Sequence, residues 1–137
     1  MRRWGSSLVA GLALCGLAWL TARHVPVWTS DLALWRAATA ADPTSARAWV
    51  NLGAQAQAQH RASEATDDYR QAIVWAEDAA DNKGKAIALV NLALIAADMG
   101  QYPEARRLYH DAQGVWPDVH HKALERAFAT LDLMEAR

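Results

Sequence analysis

The sequence predicts an all-α protein: a single N-terminal transmembrane helix, then a short superhelix of stacked helical hairpins closed by a C-terminal capping helix. Three observations carry this reading. Residues 4–22, WGSSLVAGLALCGLAWLTA, hold no charge over 19 positions. Beyond them, one pattern of small and aromatic residues occurs twice at helical spacing, and no strand pattern appears.

At 1.5 Å per residue the uncharged stretch is about long enough to cross a hydrocarbon core of roughly 30 Å. Arg2, Arg3 and the amino terminus precede it and only Arg23 closely follows, so the positive-inside bias puts the N-terminus in the cytoplasm. The rest is then expected on the periplasmic or extracytoplasmic side. A cleaved signal peptide, cut after Ala18 or Ala22, is the competing reading. The anchor is preferred because the stretch exceeds a signal core of about 7 to 15 residues and because Trp4 and Trp19 lie near its ends. Ser7, Gly11 and Cys15 recur every four residues and form a stripe on which another membrane helix would pack, unless an alanine-rich chain places them so by chance.

The remaining residues, about 115 of 137, must hold the working domain. Cys15 is the only cysteine and lies in the span, so the domain has neither disulfide nor thiolate ligand. From Val25 onward the chain carries 15 acidic and 11 basic side chains, which leaves an acidic excess and excludes a nucleic-acid partner.

The order of segments follows. Residues 1–24 form the cytoplasmic end and the span, and Pro26 interrupts helix at Val25. Residues 25–45 form a linker and one amphipathic helix, opened by Ser30 and Asp31, carrying Leu32, Trp35 and Ala38 on one face, and closed at Asp42-Pro43. Residues 46–85 form a first unit, with Trp49-x2-Leu52-Gly53-x2-Ala56 followed by Ala65-x3-Tyr69-x2-Ala72. Residues 86–119 repeat it with Leu89-x2-Leu92-Ala93-x2-Ala96 followed by Ala105-x3-Tyr109-x2-Ala112-x4-Pro117. The break at His60-Arg61 answers Met99-Gly100-Gln101. Residues 120–137 form the capping helix, with Ala123, Ala127, Leu131 and Met134 expected to face inward.

This spacing resembles the tetratricopeptide repeat, a helix-turn-helix unit of about 34 residues with the pattern W-x2-L-G-x2-Y, A-x3-F, P. Trp35-x2-Ala38-x4-Pro43 adds a half unit in front, so the resemblance covers roughly Asp31 to Asp118. Glu77 stands where proline would close the first unit and His60 where glycine would make the turn. About six extra residues, within Glu77 to Lys85, are expected to lengthen the second helix and form a polar loop around Gly84.

Packing accounts for the pattern. Gly53, Ala65, Ala93 and Ala105 are small where paired helices approach to about 8–10 Å, and Tyr69 and Tyr109 are large where a repeat must fill the gap to the next. The resemblance implies a curved surface, lined by the first helix of each pair, that binds peptide segments or partner proteins. Asn51 and Asn91 hold equivalent places, and their amides suit an extended backbone. Val50, Ala54, Ile87, Val90 and Leu94 are expected to share that surface, giving an apolar groove suited to a membrane-associated protein partner or an amphipathic helix. Alternatively, the chain's own rear helix fills it.

Catalysis is not expected. His120 and His121 are adjacent and do not form the i, i+4 pair of a metal site, His24, His60 and His110 are isolated, and Glu64, Asp67 and Asp68 read as a solvated first turn. No phosphate loop or Ser-His-Asp set occurs, so no catalytic residue, metal or cofactor is assigned. The junction from Thr21 to Gly53 is similar to the join between the last membrane helix and the first repeats of polytopic repeat proteins, including glycosyltransferase-like ones. The expected function is therefore a membrane-anchored scaffold or accessory subunit. The alternatives are a secreted soluble adaptor after signal cleavage and a non-catalytic accessory piece of a membrane enzyme such as a glycosyltransferase.

Overall fold

A computed structural model describes residues 31–135, which contain six helices: α1 Asp31–Ala41, α2 Ala46–Ala58, α3 Ala62–Asp78, α4 Asn82–Asp98, α5 Tyr102–Val115 and α6 Lys122–Glu135. Among the described residues no helix is long and apolar enough to cross a membrane. The uncharged segment 4–22 and its Ser7, Gly11 and Cys15 stripe lie outside the described residues.

Several helix ends have a local cause in the sequence. Asp42 ends the first segment in a side-chain turn, its carboxylate accepting from the Thr44 amide at 3.0 Å and hydroxyl at 2.7 Å. The Ser45 hydroxyl then caps α2 by accepting from the Ala48 amide at 3.3 Å, and the Asp81 carboxylate caps α4 through the Gly84 amide at 2.9 Å. The expected polar loop around Gly84 is absent. Asn82 to Lys85 are instead the first turn of α4, because the Asp81 cap starts the helix there and leaves only three residues between α3 and α4.

Three of the connections share one geometry. His60, Ala80 and Gly100, twenty residues apart, have left-handed φ values of 58°, 54° and 74°. At each, two amides return to the preceding helix. Those of Arg61, Asp81 and Gln101 reach the carbonyls of Ala56, Ala76 and Ala96 at 2.8–2.9 Å, and those of the left-handed residues reach Gln57, Glu77 and Ala97. These are Schellman closures, which glycine satisfies without steric cost. Two of the three use residues with a Cβ, which the left-handed region penalises by about 1–2 kcal/mol. Ala80→Gly is therefore expected to raise the unfolding free energy by about 0.5–1 kcal/mol, measured by urea denaturation, since glycine's greater unfolded-state freedom offsets part of the relief.

Burial follows the position of each helix in the stack. Helix α4 is central and apolar all round: Ala86, Leu89, Val90, Ala93 and Ala96 join α5 and α6 in one core cluster, whereas Ala88, Leu92 and Ile95 join α2 and α3 in the other. Ile73 and Leu108 pack against both clusters and make them continuous. In the first pair, a Cβ on Gly53 would sit 2.8 Å from the ring of Tyr69, which is itself fully buried. Small-residue contact thus sets the helix separation, as the sequence pattern requires.

The rear helix packs in a different register from the expected one. Leu124 and Phe128 are buried and Leu131 packs beside them, while Ala123 is exposed, Ala127 is half-buried and Met134 is 68% exposed. Both frames have helical spacing, and the frame with the larger side chains removes more apolar area from water.

Candidate functional site

The surface of α2 and α4 away from α3 and α5 carries two neighbouring hollows that meet at Ile87. The front one, about 500 Å3, is walled by Trp35, Val50, Asn51 and Ile87, with Arg47, Asp81 and Lys83 on its rim. The rear one, about 380 Å3, is walled by Ile87, Val90, Asn91, Trp116 and Val119, with Asp118, His120 and His121 beyond. Helical periodicity explains the placement: Val50, Asn51, Ile87, Val90 and Asn91 occupy repeated positions on the first helices of the two pairs.

Five of the seven residues expected in a groove therefore line these hollows. The other two line neither: Ala54 is exposed on α2, and Leu94 is half-buried against the core cluster shared with α5 and α6. Helix α6 contributes no wall to either hollow, whose rear boundary is the 116–121 connection.

The two asparagines differ in what they offer. Asn51 donates from Nδ2 to the Arg47 carbonyl at 2.9 Å, so one amide hydrogen is committed to its own helix. Its carbonyl oxygen and second hydrogen are the groups left for a ligand. Charge between the hollows is partly engaged as well, with the Lys83 ammonium 5.3 Å from the centre of the Trp116 ring. The two tryptophan walls, Trp35 and Trp116, are groove residues that sequence reasoning missed. The pattern reads Trp35 as part of a helix ending and does not single out Trp116, although the two tryptophans stand near opposite ends of the array.

The rear boundary is held by hydrogen bonds. The Tyr109 hydroxyl accepts from the His121 amide at 2.9 Å and donates to Glu125 Oε1 at 2.7 Å, and His120 Nδ1 lies 3.3 Å from the same oxygen. Burial, then the Glu125 carboxylate, pushes the Tyr109 phenol up. The Tyr109 hydroxyl and then His120 hold Glu125 below the usual carboxylate range. This network fixes the connection that forms the far wall. Among the described residues there is no group of three or more side chains suited to a metal ion.

The acidic start of α3 departs from its expected role at one position. Glu64 and Asp67 are exposed, but Asp68 is half-buried and lines a hollow with Leu32, Leu52 and Ala56. Burial, followed by repulsion from Glu64 and Asp67, raises its pKa from 3.8 to about 6. Folding thus takes up a proton at Asp68 between these values: the carboxylate disfavours the folded state above about pH 6, and that penalty disappears as the pH falls below 4. A shift of this size corresponds to roughly 3 kcal/mol, and water around the partly exposed group reduces it to about 1 kcal/mol. Asp68→Asn is expected to stabilise the fold by about that amount at pH 7.5 and to match the parent at pH 4, in paired thermal melts.

The comparisons agree with this architecture. No curated protein matches the chain significantly, so the similarity of the Thr21–Gly53 junction to polytopic membrane proteins gains no support. The family described as tetratricopeptide repeat matches residues 44–116, just over half of the sequence and the two helix pairs described above. The chain belongs to the tetratricopeptide repeat family.

Proposed function

We propose that the chain is a single-pass membrane protein that holds a protein partner in the groove formed by α2 and α4, as a scaffold or accessory subunit on the extracytoplasmic side. Family membership makes the repeat region a protein–protein interaction module of a non-catalytic kind. The observation that supports the groove is the joined pair of hollows walled by Trp35, Val50, Ile87, Val90 and Trp116, with Asn51 and Asn91 at matching positions. An apolar floor with amide groups at regular intervals suits a peptide segment whose backbone supplies the polar contacts. The membrane-facing part of the reading rests on the sequence, through the uncharged stretch 4–22 and the arginines before it.

Two measurements test these parts separately. Intact mass of the mature protein should retain Met1 or Arg2, and the protein should stay in the membrane fraction after carbonate extraction. A mature chain beginning after Ala18 or Ala22 contradicts the anchor and supports the secreted adaptor. For the groove, Asn51→Ala combined with Asn91→Ala should leave the melting temperature within about 4 °C of the parent, as expected for a combined change of about 0.5 kcal/mol. The same variant should lose partner recovery in mild detergent about tenfold. Unchanged recovery contradicts the assigned role of the amides.

A further inference from the structure

Helix α1 borders two hollows. In one of them Trp35 walls the front of the groove. In the other, Leu32 and Arg36 close a space of about 200 Å3 whose remaining walls are Leu52 and Ala56 of α2 and Glu64, Asp67 and Asp68 of α3. A movement of α1 therefore alters both.

The second hollow gathers three carboxylates, and their cations are shared unequally. Arg61 pairs with Glu64, and Arg36 stands 3.9 Å from the same carboxylate. Asp67 has Arg70 at 3.6 Å. Asp68 is the half-buried member, and among the described residues it makes neither an ion pair nor a side-chain hydrogen bond. The charged groups that act on it are Glu64, Asp67 and Arg61 from its own side and Arg36 from α1, while α2 brings only Leu52 and Ala56 to the hollow. An ionised carboxylate so placed costs free energy that a proton removes.

Of the three helices around this hollow, α1 is held least. Thr39 is its one buried residue, whereas α3 is fixed by the fully buried Ala65, Tyr69 and Ala72. The turn at 42–45 joins α1 to α2. A helix with so little buried surface opens at a lower free-energy cost than the pair it rests on.

We propose that α1 is a proton-controlled front wall of the groove: a proton on Asp68 seats the helix against α2 and α3, and loss of that proton lets it lift, taking Trp35 with it. Burial, followed by repulsion from Glu64 and Asp67, raises the Asp68 pKa to about 6. Seating takes up a proton and is favoured as the pH falls below that value. Glu64 and Asp67 stay beside Asp68 when α1 lifts, so only the share of the shift that α1 causes drives the motion, and the equilibrium should move about fourfold between pH 7.5 and pH 5. The consequence for a partner rests on the groove reading above, and the motion itself does not.

Double electron–electron resonance on the full-length chain in mild detergent reads the motion. Spin labels are placed at the exposed positions Ala37→Cys on α1 and Gln71→Cys on α3 in a Cys15→Ser background, and a second pair, Gln71→Cys with His110→Cys on α5, reports the rest of the stack. At pH 5 the first pair should give one dominant short distance. At pH 7.5 a longer component should grow about fourfold relative to it, with the second pair unchanged. Asp68→Asn, which is neutral at both values, should keep the pH 5 distribution throughout. An identical distribution in the parent at both pH values overturns the proposal. So does an equal pH response in Asp68→Asn, or a parallel change in the second pair, which would mean that the whole fold loosens. Partner recovery at pH 7.5 tests the link to the groove, since a fixed pH keeps His120 and His121 in one state. Asp68→Asn should recover more partner than the parent, in proportion to its seated fraction. Equal recovery overturns the control of the groove by α1. No recovery from either protein, with the distances responding as expected, overturns the groove reading and leaves the α1 switch supported.

Discussion

Replacing Gly53 with leucine lowers the unfolding free energy by about 3 kcal/mol, at the upper end of the usual cost of overpacking a core. The site leaves little room to relax, since the first added carbon would already lie 2.8 Å from Cε1 and 2.9 Å from Cδ1 of Tyr69. That ring is fully buried, and its hydroxyl is held by Gln57, so it cannot swing aside without losing both packing and a hydrogen bond. For a domain of about 100 residues this loss corresponds to a fall in melting temperature of roughly 12–24 °C. Gly53→Ala should show a smaller loss, and Tyr69→Leu in the Gly53→Ala background should cost less than it does in the parent. Additive losses in that double-mutant cycle would mean that the two residues do not touch.

Truncating Phe128 to alanine gives the second large effect, about 3 kcal/mol, as expected for removing a buried aromatic side chain. Phe128 is 8% exposed, its ring centre lies 6.0 Å from that of Tyr109, and the Arg106 guanidinium stands 5.3 Å from it. Removing the ring takes away the main apolar contact of α6, so amide hydrogens from Lys122 to Glu135 should exchange much faster while those of α2 and α3 change little. Met134→Ala, on the exposed side, should shift stability by no more than about 0.5 kcal/mol. Comparing these two substitutions checks the register of α6, because a helix seated on Ala123, Ala127, Leu131 and Met134 would reverse their order.

The sequence was most informative where small and aromatic residues recur. Gly53 opposite Tyr69, and Ala93 in the equivalent place, could be read as close-packing positions because few other pairings need glycine or alanine at that spacing. His60 was recognised in a turn position normally held by glycine, and its left-handed φ agrees. Alanine carries no turn signal, so Ala80 does not mark the third connection, and the sequence there points instead to a longer polar loop around Gly84. The frame of α6 was missed for a related reason. An alanine-rich helix offers several apolar stripes, and only the positions of Tyr109 and Val119 select the one containing Leu124 and Phe128. The half-buried Asp68 could not be separated in sequence from its exposed neighbours Glu64 and Asp67, since its environment depends on Leu32 and Leu52 from two other helices.

The lining of the two hollows is legible in Val50, Asn51, Ile87, Val90 and Asn91, which follow the repeat, but not in the tryptophan walls, which come from the half unit in front and the connection behind. Site-specific photo-crosslinking in native membranes tests this surface most directly, with the probe placed at Ile87, where the hollows meet, or at Val74, 49% exposed on α3. The account predicts one discrete partner adduct from Ile87 and none from Val74. An adduct from Val74 alone, or a crosslink from Ile87 only to the chain's own α6, would contradict it.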